Sequence, residues 1–557
     1  MTTASSLPGR RLLAAALLVS ATTAREAAAS GFDAPTVGSG QSSPVARDAA
    51  AVHYNPGQLG FIDRTELDVG LGIIFGSVGY QRDRRGQYQY ADNFDFAAPV
   101  DPADLDPSRT GLTEAVGSTP VGPILDAFVA IPVIADRLTI GAGFYIPYAA
   151  ILSLPEGGDQ RYQAQSVTLL STHTTLSAGL RLHDVISIGA GVSYVLSMME
   201  LSKVQDFGAV QVFGDGLASP PINQQNSFGP DAPSTVRELD VLSRQARIGP
   251  AWSHGVSFNV GVALRPTSKL DLALVYQHGS RMRLRGDFTL DMDDDFFTQD
   301  LAAQGLQFPP LVSGDAEIGL SLPKRLTLGA GYRVHPKVSL DGSLSYVFYS
   351  DFDVIDIELQ SPQLAQPALG IGDSVPQDLV RDWRNTLHAE LNVRGQATEK
   401  LLISGTLGYQ SGASPDSTVD MSSPDGHRLV GGAGMEYAIS DRFSMVGDVR
   451  VQGNVPRTVT ESDFDLGNGT YKLFLGAVTV HAKIRFGGRK KASKRGAGSE
   501  SEAGAEASAE EGLREEDATA EQPPEAEPGA EVVDSEPGDA GPPPPPPPPP
   551  PPSARAR

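Results

Sequence analysis

The segment from Lys269 to Gln277 shows the pattern that dominates this chain. Leu270, Leu272, Leu274 and Tyr276 fall on one face, and Asp271, Ala273, Val275 and Gln277 on the other. A period of two belongs to a β-strand that meets oil on one side and something polar or small on the other. The alternation recurs and predicts fourteen strands, at 65–80, 122–133, 137–148, 165–182, 185–203, 254–266, 269–290, 313–333, 337–358, 382–397, 400–411, 427–440, 442–461 and 469–486. Tight turns at 134–136, 183–184, 266–268, 335–336, 398–399 and 440–441 alternate with mostly long connections at 81–121, 149–164, 204–253, 291–312, 359–381, 412–426 and 462–468. A soluble sandwich has no reason to gather its short turns at one end. An outer-membrane barrel does, and its even strand number returns both termini to the periplasm. The expected fold is all-β: a transmembrane antiparallel β-barrel of about 14 strands with an N-terminal plug and a disordered C-terminal tail.

Aromatic placement adds a second line of argument. Tyr194, Tyr276, Tyr346 and Tyr409 lie on apolar faces, far from the short turns, where an outer girdle would sit. Tyr332, Tyr437 and Phe486 lie near the opposite ends of their strands and would form the inner girdle. Four strands carry Gly-Ala-Gly blocks at 141–143, 189–191, 329–331 and 432–434. Each continues as strand rather than opening a helix, which argues against a dinucleotide loop. Their glycines point to the lumen and leave volume there for a plug or ligand.

Composition narrows the class further. No run of about 18 apolar residues exists, so no helical membrane span is expected. The mean hydropathy of -0.16 is compatible with a barrel, because only every second residue meets lipid. Cysteine is absent, which removes thiol nucleophiles and thiolate metal sites. The net charge of -23 opposes nucleic-acid binding, which needs a basic surface.

Four regions follow. Arg10 and Arg11, the apolar run 12–20 and Ala27 to Ala29 read as a signal peptide over 1–29, cut before Ser30. Residues 30–64 are turn-rich and form the hatch, inside the barrel, or else a periplasmic arm. Residues 65–486 form the barrel. From 487 to 557 the chain is basic, then Glu/Ala/Pro-rich, then unbroken proline from Pro542 to Pro552, a composition that cannot bury a core.

Gly31 and Phe32, then 48–51, then Asn55, Pro56 and Gly57 resemble the N-terminal hatch of the FadL family of outer-membrane long-chain fatty-acid and hydrophobic-compound transporters. The segments 256–270 and 285–287, 322–332 and 423–428 are similar to further stretches of that family, in the same order. Gly57 departs from the family's usual Asn-Pro-Ala, and Pro147-Tyr148-Ala149 from its Pro-Phe-Gly. The tail after Phe486 is an addition. The resemblance implies a plugged barrel in the bacterial outer membrane, multi-pass, with a periplasmic C-terminal tail. It would pass a hydrophobic small-molecule substrate to outer-membrane lipid through a side opening, as a monomer, with no nucleic-acid partner and no cofactor.

Candidate residues follow from that picture. Pro147 removes a ladder donor, so Phe144, Tyr145, Pro147 and Tyr148 mark either a lateral opening or merely a strand end. Arg281, Arg283 and Arg285 alternate with apolar residues, and counting by twos from Gln277 puts them on the lumen face near the mouth. There they would receive a ligand carboxylate or pair with Asp291, Asp293, Asp294 and Asp295. That acidic run lacks the glycine and distal glutamate of an EF-hand loop, so no metal site is expected. His388 and His481 face inward, but nothing sets a serine beside a histidine and an acid. No catalytic residues are assigned. An outer-membrane enzyme and an envelope-tethering barrel are the competing classes.

Overall fold

The computed structural model describes residues 28–29, 32–84, 87–91, 111–112, 115–206, 235–239, 243–367, 370–463 and 465–487. The chain divides into two units, Met1–Lys491 and Ala492–Arg557, and the expected signal peptide up to residue 27 and the tail beyond 487 lie outside the described residues.

The first unit is a closed antiparallel barrel of fourteen strands. They are β1 Thr65–Arg84, β2 Val121–Ile134, β3 Leu138–Ser153, β4 Ser166–His183, β5 Ile186–Asp206 and β6 Ser243–Leu264. Then come β7 (Leu270–Gln277, resumed at Arg281–Asp291), β8 (Leu311–Ser321, resumed at Lys324–His335) and β9 (Val338–Phe348, resumed at Val354–Gln360). The last five are β10 Thr386–Gln396, β11 Leu401–Gln410, β12 Arg428–Ala438, β13 Phe443–Asn454 and β14 Gly469–Phe486. Each pairs with the next, and β14 closes on β1 from Thr65 opposite Phe486 to Arg82 opposite Gly469. Closure removes the sheet edge, the condition for strands to cross lipid, except where β2 and β3 part beyond Ala127 and Phe144.

The outward face is oil. Leu71, Leu176, Val192, Val256, Leu328, Leu407 and Leu429 are all more than half exposed. Leaving such side chains in water would cost roughly 1.5–3 kcal/mol each, so this face belongs in a bilayer. Tyr194, Tyr332, Tyr346, Tyr409, Tyr437 and Phe486 are exposed on it, and Tyr276 shares it with Leu274. The inward face is polar: Asp126, Ser177, Asn259, Asn392, Asp448 and His481 are buried there.

Several strand ends differ from expectation. β6 starts at Ser243, eleven residues before 254, because Gly249-Pro250, which reads as loop, is absorbed as a bulge in its pairing with β5. β3 runs on past 148 to Ser153, so Pro147 does not end it. β10 starts at Thr386, four residues after 382. β13 breaks after Asn454 at Pro456, which cannot donate to a ladder, and resumes at Arg457–Val459 against β14.

The larger difference is a reversal of faces. In the lower part of β7, Ala273 and Val275 are buried and Leu274 is exposed. After the break at 278–280, Met282 and Leu284 are buried while Arg281, Arg283 and Arg285 are exposed. The irregular stretch absorbs an odd number of residues, so counting by twos fails across it. β8 reverses in the same way at Leu322–Pro323. The three arginines are therefore on the outside, not on the lumen face. Arg283 and Arg285 pair with Glu317 of β8 at 3.5 and 3.0 Å, and not with the acidic run at 291–295. Above the breaks the wall is polar outside and apolar inside. Met282, Leu284, Ile318, Leu320, Ile355, Ile357 and Trp383 form one inner cluster, the arrangement of a wall standing in water.

This division predicts opposite tolerances. Leu328→Arg, on the lipid face, should cost about 2–4 kcal/mol of barrel stability, and Arg283→Ala, on the wetted wall, no more than about 0.5 kcal/mol. Urea unfolding midpoints of the two variants in lipid vesicles check this.

Candidate functional site

Residues 32–64 fill the lumen. Two short helices, α1 Ala51–Tyr54 and α2 Pro56–Leu59, meet at Asn55. Helices of four residues do not persist alone in water, so contact with the wall must hold them. Asn55 is fully buried and every polar group of its side chain is used. Its Oδ1 accepts from the Gly57 N–H at 3.0 Å and caps α2, while Nδ2 donates to the Pro44 and Val262 carbonyls at 3.0 and 3.3 Å. Pro56 follows at the first helical position, where its missing N–H has no intrahelical partner to lose. At the end of α1, the carbonyls of Val52 and His53 would be orphans. Asn259 of β6 donates to both, at 2.9 and 3.2 Å, and Gln277 of β7 donates to His53 at 2.9 Å.

Glycines of the wall let the two backbones approach. A Cβ at Gly189 would lie 2.3 Å from the Pro56 carbonyl, one at Gly179 2.6 Å from the Gly60 nitrogen, and one at Gly261 2.0 Å from Asn55 Oδ1. The same closeness accounts for Gly57, since a Cβ there would meet the Gly261 carbonyl oxygen at 2.8 Å. Around the lumen the plug is tied by charge. Arg47 meets Asp271 at 2.5 Å, Lys483 meets Asp48 at 3.4 Å, and Arg325 meets Asp33 at 2.8 Å. Burial would raise the Asp33 carboxyl, but Arg325, with His388 and Arg428, outweighs it and holds the group below its usual range. Burial, with His173 and Arg325, pushes His53 down to about 3, so its ring is neutral.

The wall is not continuous between β2 and β3. Their ladder ends at Ala127 opposite Phe144, leaving residues 121–126 and 145–153 unpaired with each other. β3 carries a bulge between Tyr145 and Tyr148 in its pairing with β4. Pro147 lies in the bulge and Pro123 on the facing edge, so each edge lacks one ladder donor. The start of the plug fills the space. Ala34 N–H donates to the Pro147 carbonyl at 2.9 Å, Ala149 N–H donates to the Phe32 carbonyl at 3.0 Å, and Asp33 bridges to Tyr148. Phe144 faces outward, whereas Tyr145 is buried and shares a 2.9 Å hydrogen bond with Thr175. Phe32 anchors the segment, stacked on Trp383 with ring centres 5.4 Å apart and edge-on to Phe352 at 5.7 Å.

Two cavities adjoin this segment. One, of about 210 Å³, is apolar and lies at the gap, against Phe32, Pro35, Val121, Ile124, Ile151 and Leu475. The other, of about 150 Å³, lies in the lumen above the plug and is polar, with His53, Tyr148, His173, Arg325, His388 and Glu390 among its walls. Ala34, Pro35 and Thr36 border both. Ser423 and Pro424, from the loop at 411–427, close the outer side of the first cavity. That loop folds into the mouth and is held by the Arg381–Asp420 pair at 2.8 Å and by Asp425, which accepts from the Ala413 and Ser414 N–H groups at 2.8 and 2.9 Å.

Of the residues singled out from sequence, Asn55, Pro56 and Gly57 sit against the inner wall, and Tyr145, Pro147 and Tyr148 border the gap or the lumen chamber. Arg281, Arg283 and Arg285 belong to neither. Sequence reasoning missed Pro123, Arg325, Asn259 and Gln277. Pro123 was legible as a second proline inside a predicted strand. The other three are ordinary polar inward residues until the plug is seen against them.

A family model described as outer membrane protein transport protein (OMPP1/FadL/TodX) matches residues 12–484. A putative outer membrane protein of Neisseria meningitidis serogroup B is 23% identical over 402 residues, covering 71% of this chain and 78% of that protein. Among solved structures, a Pseudomonas aeruginosa FadL homologue is similar with a TM-score of 0.64 and 20% identity, over 82% of this chain and 100% of that one. The Ralstonia pickettii toluene transporter TbuX gives a TM-score of 0.52 at 14% identity, over 80% of this chain and 98% of its own.

The cradle predicts how the plug fails. Gly189→Val should displace Pro56, and Asn55→Ala should cost about 1–3 kcal/mol by stranding the groups Asn55 serves. Both variants should still assemble as heat-modifiable barrels and should raise ion conductance in planar bilayers above that of the unaltered protein. Wild-type conductance in both would mean that the ion pairs hold the plug without the cradle.

Proposed function

The chain belongs to the OMPP1/FadL/TodX family of outer membrane transport proteins, and from that membership we propose lateral delivery of its cargo. A hydrophobic small molecule is captured in the outer part of the barrel and released through the β2–β3 gap into outer-membrane lipid. The chain is a transporter in the outer membrane and not an enzyme.

The observation that carries the lateral route is the unpaired stretch of β2 and β3 with an apolar cavity against it. An apolar solute partitions poorly into a wet pore and meets a charged leaflet outside. A dry passage that opens sideways avoids both costs. The β6–β7 ladder is also interrupted, between Trp252–Arg285 and Asn259–Gln277, but the apolar cavity lies at the β2–β3 break. Downward, the plug and its glycine cradle block the lumen. Phe144, Tyr145, Pro147 and Tyr148 are the residues of β3 that form one edge of the exit, and 121–126 form the other. In this reading residues 1–29 are the export signal, 30–64 the hatch and 487–557 a periplasmic tail, and the barrel works as a monomer.

The absence of cysteine makes a direct test simple. A Cβ at Gly122 would lie 3.1 Å from Ile151 Cδ1, so the two edges face each other there. Cysteines at Gly122 and Ile151, joined by a short bifunctional thiol reagent that a reducing agent can cleave, should staple the gap. Uptake of a hydrophobic compound by cells should fall on cross-linking and return on reduction. Full uptake by the cross-linked protein would move the exit to another part of the wall.

A further inference from the structure

The lumen chamber is polar but offers no unneutralised cation. Two arginines line it, and both already hold a carboxylate: Arg325 binds Asp33 at 2.8 Å, and Arg450 is in direct contact with Glu390. The histidine it takes from the plug, His53, is neutral, because burial, a neighbouring imidazole and the Arg325 guanidinium oppose its protonation. A carboxylate entering here would lose its water and find each positive group already neutralised. The chamber does hold hydrogen-bonding capacity. His173 Nε2, Asn259 Oδ1, Ser280 Oγ, Gln410 Oε1 and Arg450 Nε have no hydrogen-bond partner in the protein, and the first four residues are 8, 5, 3 and 7% exposed. All five line the chamber. Ser280 and the imidazole can each donate or accept, the two amide oxygens accept, and the Arg450 Nε–H, on a guanidinium whose charge Glu390 balances, donates. Buried polar atoms of this kind call for a partner that supplies a donor and an acceptor without a charge.

We infer that the chamber takes the uncharged polar head of an amphiphile, such as an alcohol or ketone, whose apolar body lies in the adjoining cavity at the gap. The shared border at Ala34, Pro35 and Thr36 sets head and body sites next to each other. This rests on the proposed transport of hydrophobic molecules and names the class of cargo. Selectivity then comes from what is already paired. Arg325 and Arg450 are neutralised, so a fatty carboxylate of equal length loses against its alcohol. An alkane of equal length leaves these polar groups unserved.

Equilibrium binding of 1-dodecanol, dodecanoate and dodecane to the full-length protein in lipid nanodiscs at pH 8, where the carboxylate is ionised, tests this. The alcohol should bind at least tenfold more tightly than the other two. Glu390→Gln should release Arg450 and shrink or reverse the preference over dodecanoate, and Asp33→Asn should do the same through Arg325. Dodecanoate binding as tightly as the alcohol to the unaltered protein would overturn the assignment while leaving transport intact. Equal binding of alcohol and alkane would remove the role of the chamber. Failure to bind any of the three would overturn both this assignment and the transport reading on which it rests.

Discussion

In hydrocarbon a backbone N–H or C=O must find a partner within the protein, and the architecture depends on how this chain meets that demand. Fourteen strands close on themselves and satisfy it around the circumference. The stretch where β2 and β3 separate is bordered by Pro123 and Pro147, residues with no N–H to leave unpaired. What remains of the need on the β3 edge is met by the plug, through Phe32 and Ala34. The unpaired stretch and the plug segment that fills it are therefore parts of one hydrogen-bonding solution.

The reversal of faces in β7 and β8 comes from a change of solvent along a single strand. Within the bilayer the outer face must be apolar and the lumen may be polar. Above it, water bathes the outside, and the interior must supply the apolar core that holds the loops. The strand changes its sidedness at 278–280, and its neighbour at Leu322–Pro323, by irregular residues that shift the count. Arg281, Arg283 and Arg285 mark the wetted side of this change, and Met282 and Leu284 the dry one. Trp383, Phe352 and Phe32 use the dry interior to fasten the first residues of the plug.

The plug packs Val37, Ala49, Ala50, Val52, Leu59 and Ile62 against Phe128, Ala130 and Tyr145 of the wall, and shape and polar contacts add to that hold. Glycines at 179, 189 and 261 permit backbone contact that any side chain would forbid, and buried amides at Asn55, Asn259 and Gln277 serve carbonyls that short helices leave open. Charge pairs to β7, β8 and β14 add to this hold.

By itself the sequence determined the barrel: the period of two, the succession of short and long turns and the outward tyrosines are local or nearly local features, and a lipid-facing wall tolerates no other arrangement of them. The resemblance to a family hatch marked Asn55, Pro56 and Gly57, and the missing donor marked the proline of β3, since that is a property of the residue itself. Only the tertiary structure decided which way Arg281, Arg283 and Arg285 face, because one irregular stretch inverts every position beyond it and no local pattern counts its residues. It alone joined Asp33 to Arg325, 292 residues later, and set Gly57 against Gly261. Those contacts depend on where a folded plug comes to rest against a closed wall, and a ring of strands brings distant residues together in ways that alternation along one strand does not encode.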